Sequence, residues 1–374
     1  MPHPALHLAV EIDGDGAHPA AWRRAAHAPG ELLTPRRTAK VAAVAENAGF
    51  TLVTLDDSIL PPASAAVGGP AGRLGAVERA AFIAGSTSVI GVAPVLATTY
   101  AEPFHVSTRI ASLDHVSVGR AGWVLGVEES PEAARAWGRP RVEGEAALRR
   151  EAVDGLRVAR DLWDSWEDDA VIRSVATSRY LDRERLHYVD FEGETYSVKG
   201  PAIVPRPPQG RPVVLAPAGL VPPGLVDVAL VDGATPALLG EAAAASGAPL
   251  AFAELEVALD TPGETAAERI ADLDRSAAWA GHPGRLRYTG SARGLADLLE
   301  ELSTLVDGVR LRPLVLDEDL SVLSRLVLPE LFSRRVAARP LPGTTLRATL
   351  GLPRPESRFA AATTAATTTR EGNR

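Results

Sequence analysis

Asp114, His115, Ser117 and Arg120 crowd into one short stretch, ASLDHVSVGRAGW. A carboxylate, an imidazole and a hydroxyl are the parts of a nucleophilic hydrolase. That chemistry needs the serine on a sharp strand-to-helix elbow of the G-x-S-x-G type, and the sequence has none. With no cysteine, a thiol nucleophile, thiolate metal sites and disulfides are excluded. The histidines are scattered and no pair has the HExxH spacing, so no metal site is expected. A second set of polar residues recurs where short apolar runs end. It comprises Glu11, Asp13 and Asp15; Asp56, Asp57 and Ser58; Thr98, Thr99 and Tyr100; Glu128, Glu129 and Ser130; Ala218 and Gly219; Asp232 and Thr235; and Asp317. Acids in such places either hold ligands or cap the helices that follow, and capping is the commoner use.

The elements that must carry these residues alternate regularly. Strands are read at 7–12, 51–57, 88–98, 120–127, 213–219, 227–233, 249–259 and 309–316. Helices are read at 34–49, 73–85, 102–115, 143–166, 235–246, 263–281, 292–304 and 317–336. Thr34 is an N-cap, Pro35 a first helical residue and Gly49 a stop. The segment 186–212 breaks the rhythm as an insertion hairpin after the fourth helix, with Gly193 near its turn. Eight strand–helix units without a G-x-G-x-x-G turn favour an α/β fold of the closed (β/α)8 TIM-barrel type over a doubly wound sheet. A single barrel domain is expected over 1–359, and the low-complexity 360–374 is read as a disordered tail.

A barrel separates the two sets of residues. Chemistry sits where strands end and helices begin. Asp114 to Arg120 lie where a helix ends and a strand begins, on the opposite face. There Asp114 and His115 are expected to hold a turn, Gly119 to reverse the chain, and Arg120 to make an ion pair. The formal net charge of −8 argues against nucleic acid or anionic membrane as partner. No apolar run is long enough for a membrane span. The opening MPHPALHLAVEIDG lacks a basic region followed by an apolar core, so a cytoplasmic protein is expected.

Four blocks in order carry a resemblance: ATTYAEPFHVSTRIASLDHVSVGRAGW, LWDSWEDDA, FEGETYSVKGPAIVPRPPQGRPVV and LVLPELF followed by GTTLRATLGLPRP. From about residue 5 to 359 the chain resembles the bacterial luciferase-like flavin monooxygenases. The branch is that of nitrilotriacetate monooxygenase component A and dibenzothiophene-sulfone monooxygenase. The resemblance implies a TIM-type barrel, a homodimer, reduced FMN delivered by a separate flavin reductase, O2 as co-substrate and a small organic substrate. Carried over position by position, it places Asp57, Val95, Thr98, Glu145, Arg149 and Gly219 at the cofactor. It assigns no catalytic residue.

Several of those positions depart from the pattern. Asp57 matches, and Thr98 and Thr99 remain, but Val95 replaces a threonine. Glu128 ends a run in which relatives carry Asn and Thr. Glu145 and Arg149 replace a His and a Tyr. After Gly219 relatives have a serine and a helix whose N-terminus can hold phosphate; here Pro222 and Pro223 run toward the next strand. Arg149 could pair with the phosphate instead. Three readings stay open: a monooxygenase with a remodelled flavin site, a flavin-free barrel serving as partner or regulatory subunit, and a deazaflavin oxidoreductase. As charge anchors, Glu11, Asp13 and Glu128 suit a cationic or hydroxylated ligand better than a polycarboxylate.

Overall fold

A computed structural model describes residues 5–359; the expected tail lies outside the described residues. Eight parallel strands close a barrel: β1 (His7–Glu11), β2 (Leu52–Leu55), β3 (Gly91–Ala97), β4 (Gly122–Gly126), β5 (Val213–Pro217), β6 (Val228–Val231), β7 (Leu250–Leu259) and β8 (Gly308–Pro313). Each pairs with the next, and β8 pairs with β1. Strands covered on both faces read as continuous apolar runs, as in LVTL and VALV. The helices used below are α1 (Pro35–Ala48), α2 (Ala76–Ser86), α3 (Pro103–Val116), α4 (Pro131–Trp137), α5 (Glu145–Asp164), α6 (Pro236–Ser246), α7 (Ala266–Asp274), α8 (Ala292–Leu302) and α9 (Leu316–Val322). Thr34 caps α1 by accepting the Arg37 amide, and Gly49 ends it in the left-handed region.

Side chains alternate across each strand. Leu8, Val10, Leu255 and Leu311 pack outward under the helices. Ala9, Leu52, Ala93, Val124, Leu215, Leu230 and Phe252 fill the interior, and Leu346 and Leu350 from the C-terminal segment plug its lower end. The same end carries the Asp114 cluster, which forms no triad. The buried Asp114 carboxylate accepts from Ala121 N at 3.3 Å, Gln209 N at 3.1 Å and Gln209 Nε2 at 2.6 Å. Gln209 Oε1 then accepts the Arg347 amide at 2.8 Å, tying the insertion and the C-terminal plug to the turn. His115 reaches outward to the Pro205 carbonyl at 3.2 Å. Gly119 has φ +83°. Among the described residues Arg120 makes no ion pair, contrary to expectation. Its guanidinium donates to the carbonyls of Ser117, Ile90, Ala84 and Thr87, at the C-terminal end of α2, where unpaired carbonyls favour a cation.

Three segments differ from the sequence reading. A ninth parallel strand, Leu286–Gly290, pairs with β7 over Leu255–Leu259, the edge that β6 leaves free beyond Val231. The helix expected over 263–281 stops at Asp274, whose carboxylate takes the Trp279 amide at 2.7 Å. The helix expected over 317–336 is broken by a π-turn, Leu323–Val327, just before Pro329, which has no N–H for a regular helix. The segment after α5 holds two small hairpins, Val171–Ser174 with Arg179–Leu181 ahead of the expected insertion and Phe191–Glu192 with Ser197–Val198 within it. Gly193 sits in the turn of the second.

Candidate active site at the barrel mouth

The interior changes character toward the C-terminal ends of the strands. Charges two residues apart share a strand face. Glu254 and Glu256 on β7, Arg310 and Arg312 on β8, and Glu11 on β1 therefore meet inside the barrel. Arg310 lies 2.9 Å from Glu11 and 3.2 Å from Glu254; Arg312 lies 2.9 Å from Glu11. Arg285, just before the ninth strand, adds a contact of 3.1 Å to Glu254, and Arg287 pairs with Glu256 at 3.0 Å. Burial pushes the Glu11 carboxyl up, but Arg312 and Arg310 outweigh it and the net direction is down.

Above this ladder the loops after β1 and β2 enclose a cavity of about 210 Å³. Asp13 is gripped by Arg79 at 2.5 Å and Arg73 at 3.4 Å, yet burial still raises its pKa. The Asp56 carboxylate stands 3.6 Å from Arg73, while the residue's backbone carbonyl accepts from Arg79 Nη2 at 2.7 Å. Burial, with Glu11 and Asp13 as like charges, pushes its carboxyl up to about 6. Buried polar atoms without a hydrogen bond occur here, among them Trp22 Nε1, Thr54 Oγ1, Arg73 Nη1 and Arg79 Nε, while Glu254 Oε1 and Arg310 Nε meet only as an ion pair. Such atoms are rare in folded proteins and gather where a site requires them.

The residues singled out from sequence divide into three groups. Glu11, Asp13, Asp15 and Asp56 line the cavity. A second group holds backbone. Both Asp57 oxygens accept amides, from Ser58 at 3.0 Å and from Ala76 at the start of α2 at 2.8 Å. Ser130 and Thr235 cap α4 and α6. Thr99 Oγ1 accepts the Glu128 amide, and Glu128 accepts from Ser58 Oγ and Ser130 N. Asp232 pairs with Arg285 and Asp317 with Arg37. A third group meets at the end of β5. Arg149 on α5 pairs with Glu145 at 2.6 Å, half-exposed, and a Cβ on Gly219 would lie 3.9 Å from Arg149 Nη2. Thr98 ends β3 buried, its Cγ2 against Gly155, a close approach that glycine alone permits for α5. Val95 faces Gly126 across β3 and β4.

Sequence reasoning missed Glu254, Glu256, Arg310, Arg312, Arg73 and Arg79. A signal was present: AELEVAL and VRLRP alternate charge and apolar residue with period two. Inside an apolar barrel such alternation places charges on one inward face.

A parallel barrel with its unsatisfied polar groups at the strand C-termini defines an enzyme-type (β/α)8 architecture. The family model described as "Luciferase-like monooxygenase" matches residues 17–293. The chain belongs to the luciferase-like monooxygenase family. It is 35% identical over 211 residues to N-acetyl-S-(2-succino)cysteine monooxygenase of Bacillus subtilis (strain 168), covering 56% of this chain and 47% of that one. It is 30% identical over 221 residues to nitrilotriacetate monooxygenase component A of Aminobacter aminovorans, covering 56% and 49%. The chain thus spans about half the length of these relatives. The crystal structure of a long-chain alkane monooxygenase shares the fold, with TM-score 0.82, 20% identity and coverage of 96% and 99%. Among the described residues no helix is long and apolar enough to cross a membrane.

Proposed function

We propose that the chain is the oxygenase component of a two-component monooxygenase, a homodimer that takes reduced FMN from a separate flavin reductase and uses O2 on a small organic substrate. The reading is supported by family membership, and one observation of geometry carries it: a guanidinium beside an open glycine at the end of β5. Bound reduced flavin supplies the activation of O2. Arg149 would hold the phosphate, and Gly219, at φ +79°, leaves room for it. Val95 and Gly126 offer the ring an apolar edge. With a substrate in place, the loops after β1 and β2 would shield the reacting end from water.

Arg149 must release Glu145 to do this. An exposed ion pair is worth ~0–1 kcal/mol, and a charge-assisted bond to phosphate ~1.5–3 kcal/mol, so the exchange is favourable. Anaerobic titration with reduced FMN tests the proposal. Micromolar binding, weakened ~10-fold or more in Arg149→Ala, is the expected result; no binding by the wild-type chain overturns it.

A second reading has its own support. Asp57 is committed to the start of α2, and the helix that follows β5 in relatives is here a three-residue turn, Pro223–Leu225. A flavin-free barrel acting as partner or regulatory subunit accounts for both. It requires that the wild-type chain bind no FMN and that a second chain co-purify with it from the native host.

A further inference from the structure

The cavity beside the mouth has its own charge arrangement. Four carboxylates (Glu11, Asp13, Asp15 and Asp56) and three guanidiniums (Arg73, Arg79 and Arg312) line it. Most of these charges are already matched. Glu11 has Arg310 and Arg312, Asp13 has Arg79 and Arg73, and Asp15 has His27 at 2.7 Å. His18 is not a free base: its Nδ1 accepts the Ala20 amide, so Nε2–H points to Asp274.

Asp56 is the exception. Among the described residues its carboxylate makes no hydrogen bond, and its nearest cation, Arg73, stands at 3.6 Å. It is 43% exposed, so a ligand can reach it. The remaining wall is largely apolar, with Ala17, Ala21, Trp22, Leu32, Pro62 and Leu74. Its volume of about 210 Å³ is below the ~300–1,000 Å³ of drug-sized pockets, so the occupant is small.

We propose that this cavity binds a small primary amine, its ammonium on the Asp56 carboxylate and its apolar body against Trp22 and Leu74. An anion is disfavoured, because every guanidinium in the wall already faces a carboxylate and the surplus charge is negative. A neutral alcohol could donate to Asp56 but would leave that charge uncompensated. Trp22 contributes apolar surface for the ligand's body, its ring also lying 5.4 Å from the Arg23 guanidinium. Calling this amine the substrate rests on the oxygenase reading above; its binding does not.

The test is calorimetric titration of the full chain at pH 7.5, without flavin, using benzylamine, benzyl alcohol and benzoate. These probes share one ring and differ in charge. The expected result is benzylamine binding at least ~10-fold tighter than the alcohol, no benzoate binding, and loss of the amine preference in Asp56→Asn. Absence of benzylamine binding, equal binding of amine and alcohol, or an unchanged preference in Asp56→Asn overturns it. The ligand comparison on the wild-type chain needs no variant. A parallel anaerobic FMN titration separates the two proposals, since either can fail while the other stands.

Discussion

The two ends of the barrel treat their charges in opposite ways. At the lower end the acids Asp164 and Asp227 each have several donors. Asp164 receives Arg206 and Arg211 together with the Arg358 amide. Asp227 receives both Arg347 nitrogens at 2.9 Å and the Val214 amide. At the mouth Trp22 Nε1, Thr54 Oγ1 and Arg79 Nε lack hydrogen bonds and the Asp56 carboxylate lacks a close partner, where the Asp164 cluster leaves Arg206 Nε without a hydrogen bond. The lower end is therefore built for stability, and the mouth carries unresolved charge that a ligand can resolve. The sharpest way to break this contrast is to remove a lower-end acid. Asp164→Ala leaves Arg211 without its carboxylate and the almost wholly buried Arg206 with only the half-exposed Asp168. Stripping one partner from a buried pair costs ~3–5 kcal/mol, and urea unfolding should show a loss of that size. A loss under ~1 kcal/mol would mean that the lower end is not what holds the barrel.

The contrast also marks how far the sequence can be read. The barrel was legible because several helix starts have a local cause, such as Thr34 before Pro35, and most strands are apolar runs. The bottom-face role of Asp114 followed from counting which side of a strand it precedes. Its partner Gln209 was not readable, since it lies 95 residues away in the insertion. The strand Leu286–Gly290 was missed because its reason is tertiary: it occupies an edge that β6 vacates. At the mouth the acids were visible but their pairings were not. Asp56 and Asp57 are adjacent and equivalent in sequence. Only the fold sends Asp57 to the α2 amides and leaves Asp56 in the cavity. Arg149 and Gly219 were both named from sequence, and the fold brings them to the same corner.

A smaller change asks whether the two ends are independent. Leu346 is buried against Gly91 and Gly122, sealing the barrel from below. Leu346→Ala should cost ~2–5 kcal/mol through the cavity it leaves. Benzylamine affinity at the mouth should stay within about twofold, because sites far apart with no shared partner are additive. Thermal melting and calorimetry on the same sample measure both. A large change in amine affinity would mean that the interior transmits strain along the strands and that the ends are one unit.

The smallest effect has the opposite sign, which makes it diagnostic. Asp56 has a folded-state pKa of about 6 against an ordinary value of 3.8. A raised carboxyl pKa means that the folded chain holds its proton more tightly than the unfolded chain. The contribution of Asp56 to stability is then fully present below 3.8 and is lost as pH rises through 6. At pH 8 the native state must carry an ionised carboxylate that Glu11 and Asp13 repel. Asp56→Asn removes that charge. The shift alone would correspond to ~3 kcal/mol, but the side chain is 43% exposed and solvent screening reduces this to about 1 kcal/mol. The variant should therefore melt higher than the wild-type chain at pH 8, and the gain should vanish at pH 4, where both carry a neutral group. Loss of stability at both pH values would mean that Asp56 supports the fold as Asp164 does. A gain at pH 8 together with lost amine preference would mean that the mouth keeps a destabilising charge for its ligand, the stability–function exchange expected of a binding site.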